Sequence, residues 1–62
     1  MFAKGNLVIS VGDSWSDRYR DRAFLILDFI EHDVDGNKWR ILDHISGGTL
    51  IAYEEEIEKI AE

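Results

Sequence analysis

The chain contains no cysteine, so no disulfide staples the fold and no thiolate serves as a nucleophile or zinc ligand. It has no stretch near the roughly 20 apolar residues that cross a bilayer, and no basic start followed by an apolar run of the secretory kind. The expectation is a cytoplasmic protein. Basic residues are scarce: seven Lys and Arg stand against thirteen Asp and Glu, a formal net charge of −6. That balance opposes loose binding to a phosphate backbone and favours steering toward a basic partner. Repeats, linkers and low-complexity segments are absent too.

What is there is apolar enough to fold. The 62 residues are 45% hydrophobic and include two Trp, three Phe and two Tyr, well above what a disordered acidic chain carries. This length holds one domain, residues 1–62, with a small core that must stand by packing alone.

Residues 6–11 are rich in Leu, Val and Ile between Gly5 and Gly12, and they read as a first strand. Residues 12–22 (GDSWSDRYRDR) are polar and too long for a tight hairpin, so they read as an excursion carrying surface aromatics. Residues 23–33 are dense in β-branched and aromatic side chains and lead to Asp35-Gly36, a strong hairpin signal, with a return strand over 38–45. A two-residue loop at Asp35-Gly36 sets Asp33 opposite Lys38, Glu31 opposite Arg40 and His32 opposite Trp39. Phe24, Ile26, Ile30, Trp39, Ile41 and Ile45 then form a half-core. That register also sets Asp28 against Asp43, a conflict that a β-bulge near Leu27-Asp28 removes by turning Asp28 outward and admitting Phe29 to the core. Ser46-Gly47-Gly48 is a second turn and residues 49–53 a short strand. In the tail, Tyr53, Ile57, Ile60 and Ala61 fall at helical spacing behind three glutamates, which predicts a short C-terminal helix. The fold class expected is mainly β, a small barrel of about four to five antiparallel strands with that helix packed on it.

The segment Gly12-Asp13-Ser14-Trp15-Ser16-Asp17, a G-D-x-W-x-D opening, is followed by Arg20-Asp21-Arg22-Ala23-Phe24, an R-x-R-x-F run before the second long strand. Together with the order of elements over residues 12–57 this resembles the small SH3-like (KOW-like) β-barrel proteins of bacteria and their phages. The resemblance implies an SH3-like barrel acting as a binding module for nucleic acid or for another protein. The acidic balance and lack of a lysine-rich face separate this chain from the nucleic-acid-binding members.

Trp15, Arg18, Tyr19, Arg20 and Arg22 are the candidate binding residues, because Arg and aromatic side chains concentrate binding energy at interfaces and can also pair with phosphates and stack bases. Against this, Asp13, Asp17 and Asp21 can balance the three arginines within the loop. Glu54, Glu55, Glu56 and Glu58, with Glu62, form a candidate acidic partner surface that could imitate a row of DNA phosphates; a solvated helix face explains the same residues. No cofactor or metal is expected. Asp33, Asp35 and Asn37 alternate as calcium ligands do, but Lys38 and His44 stand where a calcium loop needs Gly and Glu. His32 and His44 lie at opposite ends of the hairpin, and Ser14 and Ser16 lack a histidine and a nucleophile elbow. An enzyme would need a paired acid and base or a phosphate loop, and neither is present. The expected function is a non-enzymatic, protein-binding module, a phage or mobile-element accessory or inhibitor protein whose partner is a basic or nucleic-acid-binding host protein. The alternatives are a KOW-like nucleic-acid module and an acidic DNA mimic. Residues 23–30 are apolar on both faces, so a homodimer is expected if the terminal helix leaves the second face bare.

Overall fold

The computed structural model describes residues 2–60. Five strands, β1 (Leu7–Ser10), β2 (Ala23–Asp33), β3 (Gly36–Leu42), β4 (Thr49–Tyr53) and β5 (Ile57–Lys59), form one antiparallel sheet in the order β4-β3-β2-β1-β5. The sheet is mainly hairpin-connected, with β5 returning to the far side of β1, and it does not close on itself.

Alternation builds the core. Val8 on β1, Phe24 and Ile26 on β2, Trp39 and Ile41 on β3, Ala52 on β4 and Ile57 on β5 point to one side and are buried. Phe2, Trp15, Tyr19 and Leu50 pack around them. Phe24 and Ile41 are wholly inaccessible, and a large aromatic at the centre of so small a body contributes about 3–5 kcal/mol by comparison with alanine. The opposite face carries Leu7, Leu25 and Leu42 in one row across three strands, all half-buried.

The hairpin register differs from expectation. The two-residue loop is Val34-Asp35, and Asp33 pairs with Gly36. The cause is local: the Asp33 carboxylate accepts the Asp35 amide at 2.8 Å, an Asx turn that closes the chain one residue early, and Gly36 takes the positive φ of 119° needed to start the return strand. His32 therefore faces Asn37, not Trp39, and Glu31 faces Lys38, not Arg40. Lys38 sits between Glu31 at 2.8 Å and Asp33 at 3.3 Å.

Two irregularities in β2, between Ile26 and Asp28 and between Phe29 and Glu31, bring the ladder back into phase. The first turns Asp28 outward against Arg40, at 3.9 Å, which removes the Asp28–Asp43 conflict. The second leaves Phe29 49% exposed. Instead of entering the core, its ring rests edge-on against Trp39 with centroids 5.3 Å apart. Ile45 is not a core residue either: β3 ends at Leu42, and Ile45 lies in the following turn, 68% exposed.

There is no C-terminal helix over residues 54–60. Glu54–Glu56 make a single 3-10 turn and Ile57–Lys59 pair with β1. An isolated two-turn helix is marginal, whereas a strand here satisfies the outer edge of β1: Val11 N–H donates to Glu56 O at 2.9 Å and Ile60 N–H to Leu7 O at 2.9 Å. It also seats Ile57 in the core. Ala61 and Glu62 of the expected helix lie outside the described residues. Among the described residues no helix is long and apolar enough to cross a membrane.

Candidate functional site at the 3-10 turn and the long loop

The excursion between β1 and β2, residues 11–22, is folded down onto the core. Ser10, buried at the end of β1, ties its base: Oγ donates to Tyr19 O at 2.7 Å and accepts the Arg22 amide at 3.1 Å. Trp15 stacks on Phe24 with centroids 5.7 Å apart and planes 19° from parallel, and its Nε1–H donates to Glu56 O at 2.9 Å. Tyr19 covers the other part of the same ring at 6.4 Å. These two aromatics are thus a lid on the core, half-buried, and not the freely exposed pair expected of this segment. A core this small recruits nearby large rings, and the loop that joins β1 to β2 brings two of them over Phe24.

The three arginines of the loop go three ways. Arg20 turns back, donating to Trp15 O at 3.1 Å and facing Asp17 at 3.4 Å. Arg22 reaches Asp43 at 3.5 Å, beyond β3. Arg18 makes no ion pair among the described residues, its guanidinium 5.4 Å from the Tyr19 ring centroid. Among the described residues, the expected one-for-one balance with Asp13, Asp17 and Asp21 is found only for Asp17 with Arg20. Asp21 instead supplies the backbone, at a positive φ of 55° that Asp tolerates better than most side chains.

Asp43 is a structural group that composition and pattern did not mark. It is 1% exposed, accepts the Ile45 amide at 3.1 Å and the Ser46 hydroxyl at 3.0 Å, and faces Arg22. Burial pushes its carboxyl upward, but those donors and the arginine outweigh it and hold the group below its ordinary value.

The four glutamates also divide. Glu54 turns inward: its Oε2 accepts Trp39 Nε1–H at 2.9 Å and Asn37 Nδ2–H at 3.0 Å, and those two bonds lower its pKa. Glu56 bridges two segments, accepting the Tyr53 amide at 2.9 Å and the Ser14 hydroxyl at 2.6 Å. Glu58 lies exposed on β5 across from Ile9, on the outer face. Glu55 points away from the body, exposed and without an ion pair among the described residues.

Around Glu55 two open clefts meet. One, about 470 Å³, is lined by His32, Asp35, Gly36, Asn37, Glu54 and Glu55. The other, about 250 Å³, lies between the 3-10 turn and the start of the long loop, against Asp13, Ser14, Glu55 and Glu56. The walls of the first are fixed by a short chain of hydrogen bonds, in which His32 Nδ1–H meets Asn37 Oδ1 at 2.8 Å and Asn37 passes to Glu54. Next to it Tyr53 donates its hydroxyl to Asp33 at 3.0 Å. That bond to the carboxylate raises the Tyr53 pKa. Asp35, Glu55 and Asp13 make no ion pair among the described residues, so their charge is directed at solvent. His44 is exposed in the β3–β4 turn at the far end of the hairpin from His32. Comparison with protein-family models, with curated proteins and with solved structures finds no match for the chain.

Proposed function

We propose that the chain is a non-enzymatic protein-binding module of SH3-like barrel architecture, which takes a basic segment of its partner along the acidic edge centred on Glu55. The barrel reading is supported by the strand order β5-β1-β2-β3-β4, the long β1–β2 loop, the doubly bulged β2 and the 3-10 turn that joins β4 to β5. The observation that carries the binding reading is the surplus of uncommitted negative charge on one edge. Among the described residues Asp13, Asp35 and Glu55 have no cation, while Arg20, Arg22, Lys38 and Arg40 are each held by an acid elsewhere.

Clefts walled by one sign of charge on a low-dielectric body focus the field and draw in the opposite charge. A lysine or arginine side chain has the size and sign for either cleft, and Trp39, Trp15 and Tyr53 hold the walls from beneath through their polar atoms. A nucleic-acid-binding host protein is one partner class with a surface that fits. Arg18, the loop arginine without an ion pair among the described residues, offers a nearby contact for an acidic or aromatic group of that partner. The test is capture from host lysate on the immobilised protein and on Glu55→Lys and Arg18→Glu forms. The reading expects a partner that saturates on the parent surface and falls about tenfold or more with Glu55→Lys. Capture unaffected by Glu55→Lys, or a mobility shift of DNA or RNA at low salt that Arg18→Glu abolishes, would favour a nucleic-acid module instead.

A further inference from the structure

β4 ends the strand order and has a partner only on its β3 side. Asp43 N–H donates to Gly48 O at 2.8 Å at the mouth of the β3–β4 hairpin, and antiparallel pairs alternate from there between bonded and non-bonded. Leu50 and Ala52 therefore turn their N–H and C=O toward β3, and Thr49, Ile51 and Tyr53 turn theirs away. Among the described residues the outward amides of Thr49 and Ile51 have no acceptor, and the Ile51 side chain is 60% exposed. The other edge strand, β5, carries Glu58 and Lys59, and such charges ordinarily guard an edge against pairing. The sequence TLIAY has neither a charge nor a proline, and its ladder with β3 has no bulge. The Tyr53 amide marks where the open stretch stops. Glu56 Oε1 accepts it at 2.9 Å, so that carboxylate stands where the next carbonyl of an added strand would lie.

The charge around this edge selects what can lie on it. Lys38 and Arg40, the β3 neighbours of Tyr53 and Ile51, face three acids, Glu31, Asp33 and Asp28. Glu54, Glu55 and Glu56 follow β4 directly. The surroundings are net negative, which repels an acidic strand or a nucleic acid and attracts a basic segment. Resting on the proposed capture of a basic segment at Glu55, we infer that this segment adds to β4 as an antiparallel strand, so that one extended stretch spans both the open edge and the acidic turn. One of its residues exchanges both N–H···O bonds with Ile51, and the residue two places later does the same with Thr49. The ladder stops there, because Glu56 keeps the Tyr53 amide. In this direction the residues ahead of the bonded stretch run past Tyr53 to the turn at Glu54–Glu56. Lysine or arginine therefore precedes the paired stretch, and a β-branched residue opposite Ile51 covers its exposed side chain.

The test titrates the labelled parent protein with an acetylated, amidated peptide of three lysines followed by Val-Thr-Val. Binding should saturate with shifts at Glu54 and Glu55, and exchange of the Ile51 amide should slow in step with occupancy. Methylating the nitrogen of the first valine removes its bond to Ile51 O and should weaken binding about tenfold with the charge unchanged. Methylating the threonine nitrogen, which faces away from β4, should not. Saturable shifts at Glu55 with unchanged Ile51 exchange, or equal losses from the two methylations, overturn strand addition and leave the Glu55 reading standing. A peptide with serine for lysine that protects Ile51 equally well overturns the basic occupant and the Glu55 reading together. So does a failure of the lysine peptide to saturate up to about 1 mM.

Discussion

Phe24 is the residue on which the long-loop half of the candidate site leans, because Trp15 and Tyr19 are both placed by contact with its ring. Phe24→Ala should cost about 3–5 kcal/mol, comparable with the whole stability of a domain this size, so the variant is expected to lose its cooperative melting transition by circular dichroism. Trp15→Phe separates fold from function more finely. It keeps a ring on Phe24 and deletes the bond to Glu56 O, for an expected loss of about 0.5–1.5 kcal/mol in urea unfolding. Arg18→Ala touches no core contact and should change stability by less than about 0.5 kcal/mol. Residue types told half of this story. An Arg-aromatic loop was visible as such, and so was Asp28 needing a bulge. That Trp15 would serve the core was not visible, because the demand comes from Phe24, placed beside it only by β1–β2 pairing. Asp43 was equally hidden, since its donors come from the β3–β4 turn and from Arg22, and no local pattern marks an aspartate for burial.

At the scale of elements, β2 and β4 carry the boundaries expected for them, because β-branched and aromatic residues fill both and turn residues mark the end of β2 and the start of β4. The misjudged elements were settled by competition at a distance. Residues 57–59 have helical spacing and acidic residues ahead of them, yet the unpaired edge of β1 offers backbone bonds that a helix would forgo. The hairpin register turned on one carboxylate, Asp33 capping the Asp35 amide. Asp33→Ala should loosen the turn, release the Tyr53 hydroxyl and leave Lys38 held by Glu31 alone. Amide exchange at Asp35 and Gly36 should quicken, and a Tyr53 titration should move back toward the ordinary range, since its raised pKa derives first from the bond to Asp33. Gly47, at a φ of 78° in the β3–β4 turn, should lose about 1 kcal/mol on change to Ala, with a lower thermal midpoint as the readout.

For the molecule as a whole, charge sets the acid limb of stability and carries the proposed binding. Asp33, Asp43 and Glu54 all sit below their ordinary values of 3.8, 3.8 and 4.5 in the folded chain. A carboxyl with a depressed folded pKa contributes stability that is whole above its unfolded value and is lost as pH falls through the folded one. The thermal midpoint should therefore be level through neutral pH and drop below about pH 4, and Asp43→Asn should lower the plateau while softening the acid limb. Asp13, Asp35 and Glu55 make no ion pair among the described residues, and theirs is the charge the proposed partner would meet. The most direct measurement is an amide chemical-shift titration of the labelled protein with a short Lys/Arg-rich peptide, and separately with a short single-stranded DNA. Binding at the acidic edge predicts saturable shifts by the peptide at Asp13, Asp35, Glu54 and Glu55, abolished by Glu55→Lys. Shifts by the DNA at Arg18 and its neighbours, with none by the peptide at Glu55, would contradict it.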